Sequence, residues 1–286
     1  MLVVSTDEVS LEDREFVDLL LATAEFEPGA ASYSSFMSFN LHAVERGRVD
    51  VQRLTRHVDL HGADALDIGA GSGGLAIALA ERGARVAAIE PDETRRRWAV
   101  ARIAGHGVEV RLHASAAEAL PFPDASFDLV TMDSVIEHVE SPARSISEIA
   151  RVLRPGGVVF LSWPNKGSLI NLWRDPHYQM IGVVLMPRRL GRFYVERVRR
   201  SRRAYWVNVI PTSRWVKTRF LRHGIRLDRQ TPDGPQKLTH PDSIRGFPRL
   251  RTLAHFASRL GLGAFCASSG LRSTPRTSSS ASRASC

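Results

Sequence analysis

Cysteine is almost missing from this chain of 286 residues, where Cys266 and Cys286 are the only two. Neither has a cysteine or histidine at metal-ligand spacing, so a disulfide framework and a thiolate zinc site are both excluded and reduced thiols are expected. Long apolar runs are missing as well: the nearest, Met180–Met186, falls far short of the ~18 residues that a bilayer-spanning helix needs. Met1–Ser10 lacks a basic segment followed by an apolar one, so no secretory signal is expected and the expected location is the cytoplasm, with membrane association only from outside. Acidic side chains are scarce in one stretch. Between Phe160 and Gln230 only Asp175, Glu196 and Asp228 stand against 16 lysines and arginines, so this segment is far more basic than the whole chain at +9. Such a field attracts phosphates, nucleic acid or an anionic membrane. The composition is otherwise ordinary, 43% apolar and 24% charged. That supports a substantial core and excludes wholesale disorder.

The apolar spacing predicts helices over Leu11–Phe26, stopped by Pro28-Gly29, and over Phe36–Leu60. From Ala63 onward strands and helices alternate. Strands are expected at Ala63–Gly69, Ala84–Glu90, Val108–His113, Phe127–Asp133 and Gly157–Trp163, with helices at Gly73–Arg82, Asp92–Ala104 and Ser141–Leu153. This order specifies an α/β fold with a doubly wound, mostly parallel sheet, whose ligands bind beyond the carboxyl ends of the strands. After Trp163 the alternation lapses until a helix at Pro211–His223 and a strand candidate at Ile225–Asp228. The organisation expected is N-terminal helices over 1–60, a core over 61–230 interrupted by a basic insertion at 164–210 that caps the site, and a weakly patterned, partly disordered tail over 231–286.

The residues with the clearest chemistry are Leu66-Asp67-Ile68-Gly69-Ala70-Gly71-Ser72-Gly73, at the end of the first strand and the start of its helix. Glycines there let backbone approach a ligand, and the helix N-terminus offers free N–H groups. Gly69, Gly71 and Gly74 also satisfy the dinucleotide spacing G-x-G-x-x-G, which leaves a nicotinamide-dependent oxidoreductase as an alternative. Asp67 separates the two. A carboxylate there repels a diphosphate but favours S-adenosylmethionine, whose ammonium and sulfonium are both cationic. Glu90, at the end of the second strand, is placed to accept hydrogen bonds from ribose hydroxyls, a device that serves either cofactor.

Taken with Glu118-Ala119-Leu120-Pro121-Phe122, Ser126–Val130, Ile136-Glu137-His138-Val139 and Arg151–Gly157, these blocks resemble class I S-adenosylmethionine-dependent methyltransferases, in the group that includes ubiquinone-biosynthesis and many small-molecule enzymes. The likeness covers about residues 63–163. It implies that Asp67, Gly69, Ala70, Gly71 and Gly73 hold the methionine end, Glu90 the ribose, Ala116, Ala117 and Glu118 the adenine, and Asp133 and Ser134 the cofactor floor. It also implies a small-molecule methyl acceptor. The family often has an aspartate where Ala116 stands, so that adenine acceptor is absent here. Its sheet usually closes with an apolar strand near the C-terminus, where this chain has the serine-rich Thr277–Ser285.

His138 carries three readings: a structural or capping role, contact with the acceptor or service as a base, and metal binding. Ser134 stands where the metal-binding relatives have an acidic ligand, and no metal is expected. In the insertion, Trp173, His177 and Tyr178 are candidates for acceptor contact. The arginines of Arg188–Arg203, spaced with Leu190, Phe193, Val195 and Val198, read either as an amphipathic helix on anionic lipid or as a solvated face whose stems cover the core. A non-catalytic docking module on this fold is a further alternative. No nucleic-acid motif accompanies the charge.

Overall fold

The computed structural model describes residues 13–23, 31–163, 181–198, 207, 211–227 and 267–272. Trp173, His177, Tyr178 and Arg199–Arg203 lie outside the described residues. The helices are α1 (Arg14–Thr23), α2 (Ala31–Leu41), α3 (Ala43–Leu54), α4 (Gly74–Glu81), α5 (Glu93–Gly105), α6 (Pro142–Val152), the short α7 (Arg188–Phe193) and α8 (Ser213–Arg222). The strands are β1 (Asp64–Ile68), β2 (Arg85–Ile89), β3 (Val110–His113), β4 (Phe127–Asp133), β5 (Leu153–Trp163) and β6 (Ala267–Arg272). They form one sheet in the order β3-β2-β1-β4-β5-β6. Strands β1 to β5 are parallel, and β6 runs antiparallel to β5. The expected α/β doubly wound, mostly parallel sheet is the fold observed.

Chain order reverses between β1 and β4, so the crevice for a ligand opens where their carboxyl ends part. Because strand side chains alternate, each strand feeds two cores. Leu66, Ile68, Val130 and Met132 pack with α6 and α8 residues such as Ile146, Ile149, Val216 and Phe220 on one face. Ala65, Val86, Ala88, Leu129 and Phe160 pack with Leu79 of α4 and with Val51 and Leu54 of α3 on the other.

Three sequence expectations change. The single helix expected over Phe36–Leu60 is two: α2 ends at Leu41, and α3 begins at Ala43 and ends at Leu54. Ile225–Leu227 carries no strand, although Ile225 and Leu227 are buried. The weakly patterned tail contains β6, paired with β5 from Val158↔Arg272 to Trp163↔Ala267. Its sequence, Ala-Ser-Ser-Gly-Leu-Arg, has no apolar alternation, and an edge strand is held by backbone pairing that such a pattern does not reveal.

The excursion after β5 leaves and returns at one place. The indole N–H of Trp163, a side chain 1% exposed, donates to the Pro211 carbonyl at 3.2 Å. Thr212 then caps α8, its hydroxyl accepting from the Trp215 N–H. At the opposite end of the sheet Arg154 reaches Asp64 at 2.9 Å and Asp128 at 2.7 Å, tying the starts of β1 and β4 to the β5 turn. Among the described residues no helix is long and apolar enough to cross a membrane.

Candidate active site

The strand period of two places Asp67 on the α4 face with Ala65, and it pairs in register with Thr131 of β4. The Thr131 hydroxyl donates to Asp67 Oδ1 at 2.8 Å, and both side chains are buried. Burial pushes the Asp67 carboxyl up to about 7, opposed by the Thr131 hydrogen bond and reinforced by the charges of Asp133 and Glu90. A carboxylate held in this way is disposed to receive a cation.

Gly69, Gly71 and Gly73 follow, all with positive φ. At Gly69 glycine is obligatory twice over: φ is +75° and a Cβ would lie 2.4 Å from Val135 Cγ2. At Gly71 φ is +56°, yet the nearest atom to a Cβ is the Gly69 carbonyl oxygen at 4.0 Å. The loop is therefore packed from below at Gly69 and open above Gly71. Gly73 closes it as the left-handed N-cap of α4.

Glu90 sits at the end of β2, 3% exposed. Its Oε2 accepts from the Gly71 N–H at 2.9 Å and its Oε1 from the Asp92 N–H at 3.1 Å. A carboxylate has about four lone-pair sites, so roughly two remain for a ligand. The Gly71 N–H, which a diphosphate would need, already has an acceptor.

Asp133 ends β4 beside Ser162 of β5, and the Ser162 hydroxyl donates to Asp133 Oδ1. Ser134 next to it holds the left-handed φ of +55°, uncommon for a residue with a side chain, while its N–H donates to the Ser162 carbonyl at 3.1 Å. That turn carries Val135 onto Gly69. The structure thus brings together Asp67, Gly69, Ala70, Gly71, Gly73, Glu90, Asp133 and Ser134 at the carboxyl ends of β1, β2 and β4.

The other candidates fall differently. Ala117 is buried in the core, Ala116 is exposed, and Glu118 Oε1 accepts from the Ser141 N–H at 3.0 Å, at the start of α6. His138 lies on the turn after β4, its N–H donating to the Val135 carbonyl and its Nε2 3.9 Å from Oε1 of the fully buried Glu137. Among the described residues no group of three histidine, cysteine, aspartate or glutamate side chains is arranged to hold a metal ion.

Sequence reasoning missed Thr131, Val135 and Ser162, which support the named residues, and a charged edge contributed by α3. Asp50 bonds to Arg53 at 2.8 Å, and its carboxyl is pushed up to about 6 by burial and by the charge of Asp133. Arg46, one turn before Asp50, donates to the Phe39 carbonyl at 2.6 Å and stacks 4.0 Å from the Phe39 ring. Their spacing of four residues was visible. The placement of α3 against the crevice was not.

The family described as a methyltransferase domain matches residues 66–161, the span from β1 to β5 that carries Asp67, the glycine loop, Glu90, Asp133 and Ser134. By that match residues 66–161 are similar to methyltransferase domains. The domain is similar to the ubiquinone biosynthesis O-methyltransferases of Stutzerimonas stutzeri, 35% identical over 127 residues (44% of this chain and 54% of that protein), and of Xylella fastidiosa strain M23, 38% identical over 131 residues (44% and 51%). The chain spans about half the length of the curated relatives it matches. In fold it is similar to the PH0226 protein of Pyrococcus horikoshii, with a TM-score of 0.52 and 20% identity over 72% of this chain and 88% of that one. Neither the oxidoreductase nor the docking-module alternative gains support from these likenesses.

Proposed function

We propose that the methyltransferase domain binds S-adenosylmethionine and transfers its methyl group to a small-molecule acceptor. The observation that carries this reading is the buried Asp67 carboxylate beside a glycine loop open at Gly71, with Glu90 at the next strand end. The donor set fits the cofactor. Asp67 offers an anion to the methionine ammonium, Glu90 keeps acceptor capacity for the ribose hydroxyls, and the bare backbone at Gly71 leaves room for close approach. When bound, the cofactor supplies a methyl group on a cationic sulfur. The chain supplies position: rate comes from proximity and alignment, which require no dedicated base unless the acceptor must lose a proton. No residue is assigned that role.

Calorimetric titration with S-adenosylhomocysteine and with NADH tests the reading, the first expected to bind and the second not. NADH binding without S-adenosylhomocysteine binding would overturn it. Labelled methyl transferred from the cofactor into a cell extract then identifies the acceptor.

The two loop glycines separate fold from ligand. Gly69→Ala is expected to destabilise the protein by about 2–4 kcal/mol, because left-handed strain adds to the Val135 clash. Gly71→Ala should cost only about 1–2 kcal/mol in stability, since only the backbone strain applies. It should nevertheless abolish measurable S-adenosylhomocysteine binding, because the new methyl occupies the open side of the loop. Thermal melts and titrations of the two variants check this, and equal behaviour of both would contradict the assigned geometry.

A further inference from the structure

The basic insertion is not absorbed by methyl transfer, and its described part, residues 181–198, has an unusual surface. Val183 and Val195 are buried together with the partly buried Tyr194, forming a small core of their own. The larger apolar side chains face outward: Ile181 and Leu185 are each 57% exposed, Leu190 53% and Phe193 59%. Leu190 and Phe193 thus face away from the small core that holds Val195. The reason is geometric. The α7 helix passes into a π-helical turn at Tyr194–Val198; Gly191 and Val195 are buried, while Arg189, Arg192 and Arg197 share the exposed side with Leu190 and Phe193.

Arginine stems covering a core would leave these apolar side chains inside, so that bland reading does not account for the arrangement. The one acidic residue of the segment, Glu196, is engaged by Arg192 at 3.1 Å. Across Arg188–Arg203 the sequence holds eight arginines against that single glutamate. Exposed Leu, Ile and Phe interleaved with arginine in excess over acid fit a surface that is apolar inside and anionic at its rim.

We infer that residues 181–198 dock the protein on an anionic lipid bilayer, with Ile181, Leu185, Leu190 and Phe193 entering the acyl boundary and Arg189, Arg192 and Arg197 meeting lipid phosphates. The excursion containing this segment starts and ends at the carboxyl end of β5, where the Trp163–Pro211 hydrogen bond closes it. The inference stands independently of the methyl-transfer reading.

Co-sedimentation of the full chain with vesicles of phosphatidylcholine alone, and of phosphatidylcholine mixed with phosphatidylglycerol, tests it. Binding is expected only to the mixed vesicles. Each arginine near such a surface is worth about fivefold in partitioning, so Arg189→Gln/Arg192→Gln/Arg197→Gln should lose on the order of a hundredfold. Leu190→Ser/Phe193→Ser should also reduce binding at least about tenfold, and the remaining binding should vanish in high salt. All five side chains are exposed, so both variants should retain the wild-type melting temperature, which is measured alongside. Unchanged partitioning in either variant, equal binding to neutral vesicles, displacement by soluble glycerophosphate, or retention on RNA in preference to vesicles would each overturn the inference.

Discussion

Asp67→Asn is expected to lower affinity for S-adenosylhomocysteine on the order of 100-fold, while raising the melting temperature of the ligand-free protein. The two effects have one cause. A buried carboxylate that awaits a cation costs folding free energy when the cation is absent, and removing its partner's counter-charge costs about 2–5 kcal/mol when it is present. Asparagine keeps an oxygen to accept from the Thr131 hydroxyl, so packing at β1 and β4 is retained and only the charge is lost. A variant with wild-type affinity would remove Asp67 from the binding site. Lost affinity with lost stability would instead mark it as structural.

The sign of the pH dependence follows from the raised carboxyl. With the folded value near 7 and an ordinary value of 3.8, the folded protein binds the extra proton between these limits. Stability contributed at Asp67 is therefore complete below about pH 4 and declines as pH rises to about 7. Asp67→Asn lacks that decline. Cofactor binding runs the other way, because a cation favours the carboxylate: affinity should rise about tenfold per pH unit from 5.5 towards 7, with roughly one proton released on binding at pH 6. Titrations at pH 6 in buffers of different ionisation heat measure that proton directly.

The part of the site that sequence made legible is the part whose geometry is local. Asp67, the glycines and Glu90 are fixed by strand, turn and helix within one unit, so their spacing alone implies where they stand. Thr131 is 64 residues from its partner Asp67, and only the register of β1 against β4 pairs them. Glu118, expected to meet the adenine, shows the converse, since nothing in its local sequence indicated that its carboxylate meets the start of α6. The parallel sheet was readable because apolar strands alternate with helices. Strand β6 was not, because Ala267–Arg272 joins the sheet through its backbone, and the break between α2 and α3 was not, because apolar spacing continues across His42.

Arg102 is the other residue that no local pattern announces, and Arg102→Met is expected to destabilise the protein by about 3–5 kcal/mol, lowering its melting temperature by roughly 10 °C. Its side chain is fully buried. Nε and Nη2 donate to the two oxygens of Asp13 at 2.8 and 3.0 Å, Nη1 to the Asn40 carbonyl at 2.6 Å, and Nη2 to the Leu41 carbonyl at 2.7 Å. The guanidinium also lies 4.2 Å from the centre of the Phe16 ring. One side chain of α5 thus holds both α1 and the end of α2 to the sheet. Methionine fills much of the volume but removes the guanidinium donors from the Asp13 carboxylate and from two carbonyls, leaving Asp13 only His106, 3.4 Å away, among the ion pairs described. Lysine should not rescue it, because a point charge cannot serve a carboxylate and two carbonyls in the planar fork that arginine provides. Pairing Arg102→Met with Asp13→Leu should recover part of the loss, and calorimetric melts of both single variants and the double complete the cycle. Strict additivity would mean that the pair is not coupled. The effect should reach the active site, because α3 follows directly on α2 and sets Gly47 against Gly74, where a Cβ would come within 2.7 Å of the Gly74 carbonyl oxygen. Loosening α2 therefore relaxes the helix that supports the end of the glycine loop, and weaker S-adenosylhomocysteine binding should accompany the lost stability.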